Sequence, residues 1–456
     1  MTHLRTIYVS VALAFFLLPA LTTAADADSI SITLEDAQRI ALEKNPQLQS
    51  AQKEIQQSAA QVKQARGNLL PSLSAFANYN HSFELPVITI EFPDPVTGQT
   101  QKTELAMGTK ENITSGLRLQ QPLFMGGAVY SGYQIAQKGK VLAGNQAKIT
   151  RQQILLQVRQ AFYNALFTKE LIAVAEEAVA NVQRNLEQVQ KQHDVGAASG
   201  FDLLRAQVQV SNTKPQLIAA KHRHEQAITG LRTVIGLDKN ANIRVVGSLE
   251  YEKTALVDKD LADLQQTALQ ERIEMQNIRI QRSMQRENLD IARSKYMPTL
   301  AMSASVQHQM QEDEFGLNRQ DFVRSISGGL SLSVPLFAGG SNHAGVQQAK
   351  VELRKMDDTE QQVRNMINAE VESAYYSLLN AQEKLESQNK TIDQAEESLR
   401  LADLMYAEGT TTQLDVLNAQ LALQQARSNY SQYLLQYNVA RDQLKKAINA
   451  MDINNE

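Results

Sequence analysis

The chain repeats itself, and that limits its architecture more than any other feature. Pro122-Leu123-Phe124-Met125-Gly126-Gly127 is answered 213 residues later by Pro335-Leu336-Phe337-Ala338-Gly339-Gly340, with five identities in six. The same offset carries Gly196 and Asp202-Leu203-Leu204-Arg205-Ala206-Gln207 onto Gly409 and Asp415-Val416-Leu417-Asn418-Ala419-Gln420 without a gap. Upstream, Leu70-Pro71-Ser72-Leu73 matches Met297-Pro298-Thr299-Leu300 at an offset of 227, so the first copy holds 14 extra residues, within the proline-rich stretch 84–112. A unit present twice builds one architecture from two equivalent parts. Each copy reads as helix, proline, segment, loop, segment, proline, long helix, tip and returning helix.

No proline interrupts the chain from Gly127 to Gly196, and Leu155, Val158, Phe162, Ala165, Ile172, Ala175, Val179, Val182, Leu186 and Val189 recur largely at steps of three and four. A period near 3.5 over several heptads predicts a helix coiled left-handedly around its neighbours. Its counterpart runs from about Ser341 to Glu408. At about 1.5 Å per residue each would be about 100 Å long, too long for one compact domain. The returning helix of the second copy keeps the pattern through Leu423, Ala426, Tyr430, Tyr433, Tyr437, Ala440, Leu444 and Ala447, whereas Lys214-Pro215 is expected to interrupt and kink the first. Shorter helices are predicted over Leu34 to Arg66, with Thr33 as N-cap and a restart at Asn45-Pro46, and over Asp260 to Ser294.

After Pro298, Leu300, Met302, Ala304 and Val306 alternate with Thr299, Ala301, Ser303, Ser305 and Gln307. Before Pro335, Ile326, Leu330, Leu332 and Val334 alternate with serine and glycine, and Leu73, Ala75, Ala77, Tyr79, Ile113, Leu117 and Leu119 repeat the pattern in the first copy. Such alternation makes a strand with two different faces, and segments of about 10 residues of this kind match transmembrane barrel strands. A half-buried soluble sheet has the same pattern. Between helices of this length, however, nothing else would cover the apolar face, whereas a bilayer would. Four strands cannot close a barrel, and hydrocarbon excludes open edges. The barrel must be shared, by two chains with eight strands or three with twelve. Pro71, Pro122, Pro298 and Pro335 stand where helix and strand meet, as residues without a donor should.

Composition removes other readings. The chain has no cysteine, so disulfides, thiolate metal sites and an acylated N-terminal cysteine are excluded, and a net charge of -4 over 456 residues supplies no basic stripe for nucleic acid. His3 and Arg5 precede an apolar run from Ile7 to Leu18, with Ala24 and Ala25 beyond. That is a secretory signal layout, too short to span a membrane. His222 and His224 lie two apart on a predicted helix and do not share a face. The pairs Glu176-Glu177 and Glu396-Glu397 read as solvated faces. There is no phosphate loop, H-E-x-x-H or G-x-S-x-G; neither a catalytic centre, a metal site nor a cofactor is expected. Phe76, Tyr79, Phe83, Phe92 and Phe322 near strand ends fit an interfacial girdle or ordinary packing alike.

The doubled P-L-F-x-G-G, the doubled G-x(5)-D-x-L-x-A-Q and the repeat order resemble the TolC family of outer-membrane efflux proteins over essentially the whole mature chain. The resemblance implies a mainly helical chain with membrane β structure: a homotrimer whose twelve-stranded β-barrel in outer-membrane lipid continues as a twelve-helix α-barrel through the periplasm. It further implies a channel for efflux or type I secretion, served by an inner-membrane pump of RND or ABC type and a periplasmic adaptor, the membrane fusion protein.

Asp415 matches an acidic residue of the periplasmic entrance ring, and Asn418 stands where a second acid is usual. Tyr406 and Asp202 match a closing latch whose arginine is replaced by Thr411, and Gly196 and Gly409 match helix tips that an adaptor contacts. An acid in the first turn of a helix is also favoured by the macrodipole alone. The expected organisation is a signal peptide at 1–25, a first repeat at 26–237, an equatorial connector at 238–259, a second repeat at 260–450 and a flexible tail at 451–456. Strands are expected at about 72–83, 113–121, 299–308 and 323–334, long helices at about 128–195 and 341–408, and returning helices at about 201–236 and 413–449. The rival reading is a periplasmic coiled-coil adaptor or scaffold without a pore; an adaptor would be expected to carry one hairpin and glycine- and valine-rich lipoyl-like domains.

Overall fold

The computed structural model describes residues 30–93, 98, 100–317 and 321–451. The expected signal segment and the chain beyond Met451 lie outside the described residues. Four helices set the shape: α3 (Ala128–Asp194) and α7 (Ser341–Ala407), each of 67 residues, and α4 (Gly200–Val234) and α8 (Gln413–Ala447), each of 35. Buried residues on α7 fall at Ile367, Val371, Ala374, Leu378, Ala381 and Leu385, alternating steps of four and three. They meet Leu434, Tyr437, Ala440 and Leu444 of α8, so the heptad stripe is the hairpin's seam. Pro215 lies inside α4 without ending it. The missing donor removes one bond, which the rest of the helix outlasts.

The shorter helices are α1 (Leu34–Lys44), α2 (Pro46–Gly67), α5 (Leu261–Glu271) and α6 (Ile273–Ser294). Thr33 caps α1 in a capping box with Asp36, and Asn45 both ends α1 and caps α2 ahead of Pro46. The stretch Asp260 to Ser294, read as one helix, is two. It breaks at Arg272, whose backbone is extended and whose buried guanidinium pairs with Glu274 at 2.6 Å and Glu370 at 2.5 Å. No proline or glycine announces this break; a tertiary ion pair holds it.

Beside the long helices, β1 (Ile30–Ile32) pairs in parallel with β6 (Ile243–Val245), and a 3-10 turn occupies Ala255–Asp258. β6 falls within the expected connector at 238–259, where the short apolar run Ile243 to Val246 reads as a small strand; β1 was not expected. Met451, assigned to the tail, is buried against Leu155 and Leu156.

At the other end, β2 (Ser72–His81), β5 (Glu111–Met125), β7 (Thr299–Glu312) and β8 (Val323–Ser333) form one antiparallel sheet in the order β2-β5-β7-β8. Pro71 and Pro298 immediately precede β2 and β7, and Pro335 follows β8. Pro122 departs from its assigned place: β5 runs past it to Met125, and the ladder shifts between Pro122 and Phe124. A bulge accommodates the missing donor without ending the strand. The first copy's extra residues form a hairpin of β3 (Val87–Pro93) and β4 (Thr100–Ala106), which the sequence analysis left as a loop.

Candidate functional site

Alternation along one strand becomes a property of the whole sheet only if registers agree, and they do. Across the ladder, Leu73, Leu119, Ala304 and Gly328 share a row, as do Ala75, Leu117, Val306 and Ile326, with Met302 beside Leu330 and Leu300 beside Leu332. On the opposite face Ser72, Gln120 and Ser303 share a row, and Ser74, Arg118, Ser305 and Ser327 the next. One face is therefore mainly apolar through four rows, with Gln121 beside Met302 as the polar exception, up to a polar row holding His308 and Arg324, and the other is lined mostly by hydroxyls and amides. Phe76 is the aromatic exception on the polar face, where it faces Gly116 and lies 5.1 Å from the Arg118 guanidinium. A side chain on Gly116 would overlap the Val306 carbonyl, so glycine sets how closely β5 and β7 approach.

Leu73, Leu117, Ile326, Leu330 and Leu332 are exposed, and β2 and β8 have free outer edges. A sheet apolar on one side, hydroxyl-rich on the other and open at both edges is finished in neither water nor lipid alone. No described helix is long and apolar enough to cross a membrane, which leaves this sheet as the described element suited to lipid.

At the far end the long helices turn at Gly196 and Gly409, with φ of +79° and +73°. Ala197 N–H donates to the Gln192 carbonyl at 2.7 Å and Thr410 N–H to the Met405 carbonyl at 2.9 Å, the Schellman closure that favours glycine. Both returning helices then open with a capping box, Ser199 with Asp202 and Thr412 with Asp415. The Thr411 hydroxyl donates to the Asp415 carboxylate at 2.8 Å and the Thr412 N–H at 3.0 Å. The Thr412 hydroxyl, then that of Thr411, holds the Asp415 carboxyl below its usual range. Thr411 therefore joins the predicted entrance acid.

Within one chain the other expected partners do not bond each other. Tyr406 donates to Gln192 Oε1 at 3.0 Å, and Asp202 is engaged by Ser199 at 2.6 Å. Burial, followed by the Asp202 charge, raises the Tyr406 phenol above its ordinary value. Gln192 was not singled out from sequence, and nothing in its neighbourhood marks it.

Asp415 and Asn418 share an exposed face of α8 that continues at heptad steps through Gln425, Gln432 and Gln436, an uncharged amide stripe readable in principle from its spacing. Arg205 takes Asn418's place in the first copy and lies over the Phe201 ring at 4.6 Å.

Where α3 meets α8, charge is buried. Asp442, fully buried, accepts from Tyr163 at 3.0 Å and lies 3.5 Å from Arg159 and from Arg441. Burial, reinforced by the Asp442 charge, pushes the Tyr163 phenol up to about 12. Nearer the tips, Glu177 and Glu396 are not simply solvated: Arg427 pairs with both, at 2.8 Å from Glu396. His224 Nδ1 is 3.1 Å from Thr168 Oγ1.

The chain as a whole has counterparts among known proteins. The family model described as outer membrane efflux protein matches residues 38–237 and 264–450. The chain belongs to this family. It is 25% identical over 428 residues to the alkaline protease secretion protein AprF of Pseudomonas aeruginosa, covering 93% of this chain and 86% of that one. It is 25% identical over 480 residues to the outer membrane protein TolC of Vibrio cholerae, covering 100% and 98%. Among solved structures it resembles the open state of the MtrE outer membrane channel of Neisseria gonorrhoeae (TM-score 0.71, 19% identity, 93% and 90% covered) and CusC (TM-score 0.73, 17% identity, 94% and 95% covered). The TolC-like resemblance read from the doubled motifs holds, and as a family member the protein resides in the outer membrane and reaches into the periplasm.

Proposed function

We propose that three copies of this chain close a twelve-stranded barrel in the outer membrane, continuous with a twelve-helix tunnel that receives substrate from an inner-membrane pump of RND or ABC type through a periplasmic adaptor. The carrying observation is the sheet: its registers segregate an apolar from a hydroxyl-lined face, and its two free edges call for neighbours. Relatives named for protease secretion, AprF and PrtF, and one named as an antibiotic efflux pump outer membrane protein, ArpC, support a conduit for either kind of cargo. The chain conducts and catalyses nothing; the pump supplies the energy.

In this reading Asp415 and Asn418 ring the entrance, Tyr406, Asp202 and Thr411 belong to the closing latch, and the turns at Gly196 and Gly409 receive the adaptor. Three Asp415 carboxylates around an axis attract cations. Purified protein in planar bilayers should carry ion current, and a divalent or trivalent cation on the entrance side should block it in the wild type and less in Asp415→Ala. Silent bilayers, or a mature product that fractionates as a soluble periplasmic monomer, would establish the poreless scaffold instead. Equal block in both proteins removes the role of Asp415 alone.

A further inference from the structure

The long helices differ in what they expose. The 25 residues Val416 to Ala440 of α8 hold one charged side chain, Arg427, already paired with Glu177 and Glu396, whereas the 25 residues Glu383 to Ala407 of α7, beside them in the hairpin, hold nine. Charged side chains are the ordinary covering of an exposed helix face. In their place α8 exposes Asn418, Gln425, Gln432 and Gln436, on the face that carries Asp415.

Gln424 donates to Gln216 at 3.2 Å, joining α8 to α4. Beyond that bond, on the side away from the tips, a groove of about 820 Å³ lies between the two helices with α3 behind it. Half-buried Phe167, Leu171 and Leu435 form its floor, and the exposed amides of Asn164, Gln226, Gln425, Gln432 and Gln436 rim it. Among the described residues no carboxylate lines it, and Arg223 is its one charged group.

The repeat makes this groove twice. A shift of 213 carries Asn164, Thr168, Arg223 and Gly230 onto Ser377, Ala381, Gln436 and Gln443, which line a second groove of about 310 Å³ between α7 and α8. It too has no carboxylate among the described residues, and its one charge is Lys384. Gln436 lines both, so the two adjoin across α8. A chain with 49 acids and 45 bases thus leaves acids out of both places.

Chemistry selects the occupant. An amide side chain offers an acceptor and two donors, the same kinds of group that a peptide bond presents. An unfolded polypeptide that leaves bulk water must keep its N–H and C=O groups bonded, and helix backbones cannot serve, because their own groups are bonded to each other. Side-chain amides can, in any register. From Gln425 to Gln436 the helix spans about 16 Å, the length of about five residues of an extended chain. The apolar floor suits the side chains of such a segment, and a guanidinium with no acid lining its groove suits a carboxylate.

We propose that the groove between α4 and α8 holds an extended, acidic segment of an unfolded polypeptide in transit, its backbone on the amides and a carboxylate on Arg223. This rests on the conduit proposed above and names the class of cargo that its wall fits.

Planar-bilayer recording tests it in the Asp415→Ala channel, in which the entrance acids no longer oppose an acidic probe. An unstructured Gly/Ser/Leu peptide carrying Asp, added on the entrance side, should interrupt the current in blockades several-fold longer than those of the same peptide with Lys in place of Asp. Arg223→Gln should shorten the Asp-peptide blockades several-fold and Arg223→Lys should largely restore them, while Lys350→Gln, which removes a cation of α7 outside both grooves, should leave them unchanged. Gln432→Leu with Gln436→Leu should shorten the blockades of both peptides, which separates the backbone contacts from the carboxylate contact. Current with blockades indifferent to Arg223 and to the two glutamines overturns this inference and leaves the conduit standing, whereas no current in the wild type overturns the conduit itself. Arg223-dependent binding of decanoate, a small apolar carboxylate, without dwelling of either peptide would make the groove a site for small amphiphiles and overturn the polypeptide occupant.

Discussion

The two flanks of this molecule are built from the same sequence plan and end in opposite states. On the inner flank, β5 and α3 of the first repeat are covered by β7, α6 and α8 of the second; on the outer flank, β8 and α7 present matching residues to empty space. The difference teaches that a plan repeated in sequence is not packed the same way twice within one chain. It also shows that the covered seam has been fastened more heavily. Arg159, Tyr163, Arg441 and Asp442 meet there in a buried cluster, and their equivalents Glu372, Tyr376, Ile228 and Thr229 hold a single acid.

The comparison breaks most readily at Asp442. Asp442→Ala would leave Arg159 buried without its carboxylate and Arg441 with only the exposed Glu252 at 3.5 Å, which costs about 3–5 kcal/mol, since an uncompensated buried charge is far worse than a missing pair. Glu372→Ala on the exposed flank should change the stability of the isolated chain by less than about 1 kcal/mol. Denaturant unfolding in detergent measures both, and equal losses would show that the inner seam has no special fastening.

Gly126→Ala comes next. It combines a φ of +61° with overlap on Ser294 and should cost at least about 2 kcal/mol in the same assay. Gly339→Ala, with φ of +58° and open space, carries the backbone strain alone and should be milder in the separated chain. If the two are indistinguishable there, the crowding at Gly126 has no energetic weight.

Alkaline pH probes the same cluster more gently. An unfolded tyrosine ionises near 10, whereas the folded Tyr163 phenol is held near 12 by burial and by Asp442. The folded state therefore keeps the proton longer, and the contribution is intact below pH ~10 and lost as pH rises from about 10 to about 12. Tyr163→Phe should flatten the fall in melting temperature across that window; an unchanged slope would reject the assignment. The smallest effect is expected at Arg427. It is partly solvated, so Arg427→Ala should cost about 0–1 kcal/mol despite its two acidic partners, and a larger loss would make the lower coil as important to the seam as the buried cluster.

Legibility followed the range of the interaction. The four long helices, the capping boxes at Thr33, Ser199 and Thr412, and the turns at Gly196 and Gly409 depend on residues within one or two helical turns, and their chemistry lies in plain order along the chain. The break at Arg272 depends on Glu370, about a hundred residues away, and the three-residue strand β1 exists only because β6 lies beside it. The β3–β4 hairpin was obscured by prolines that reshape a local pattern without preventing pairing. Of the residues proposed for the entrance, Asp415 could be placed at a helix start from sequence, but its Thr411 contact and the Tyr406–Gln192 bond required the tips to be folded.

Periodicity alone therefore determined that this chain makes two long helical hairpins and four two-faced strands, because steps of 3.5 and 2 leave a readable stripe whatever lies opposite. Which faces come to share a row, which glycines are squeezed and which flank is left uncovered were decided by tertiary structure. Those outcomes depend on register and on distances between segments some two hundred residues apart, which no local pattern encodes.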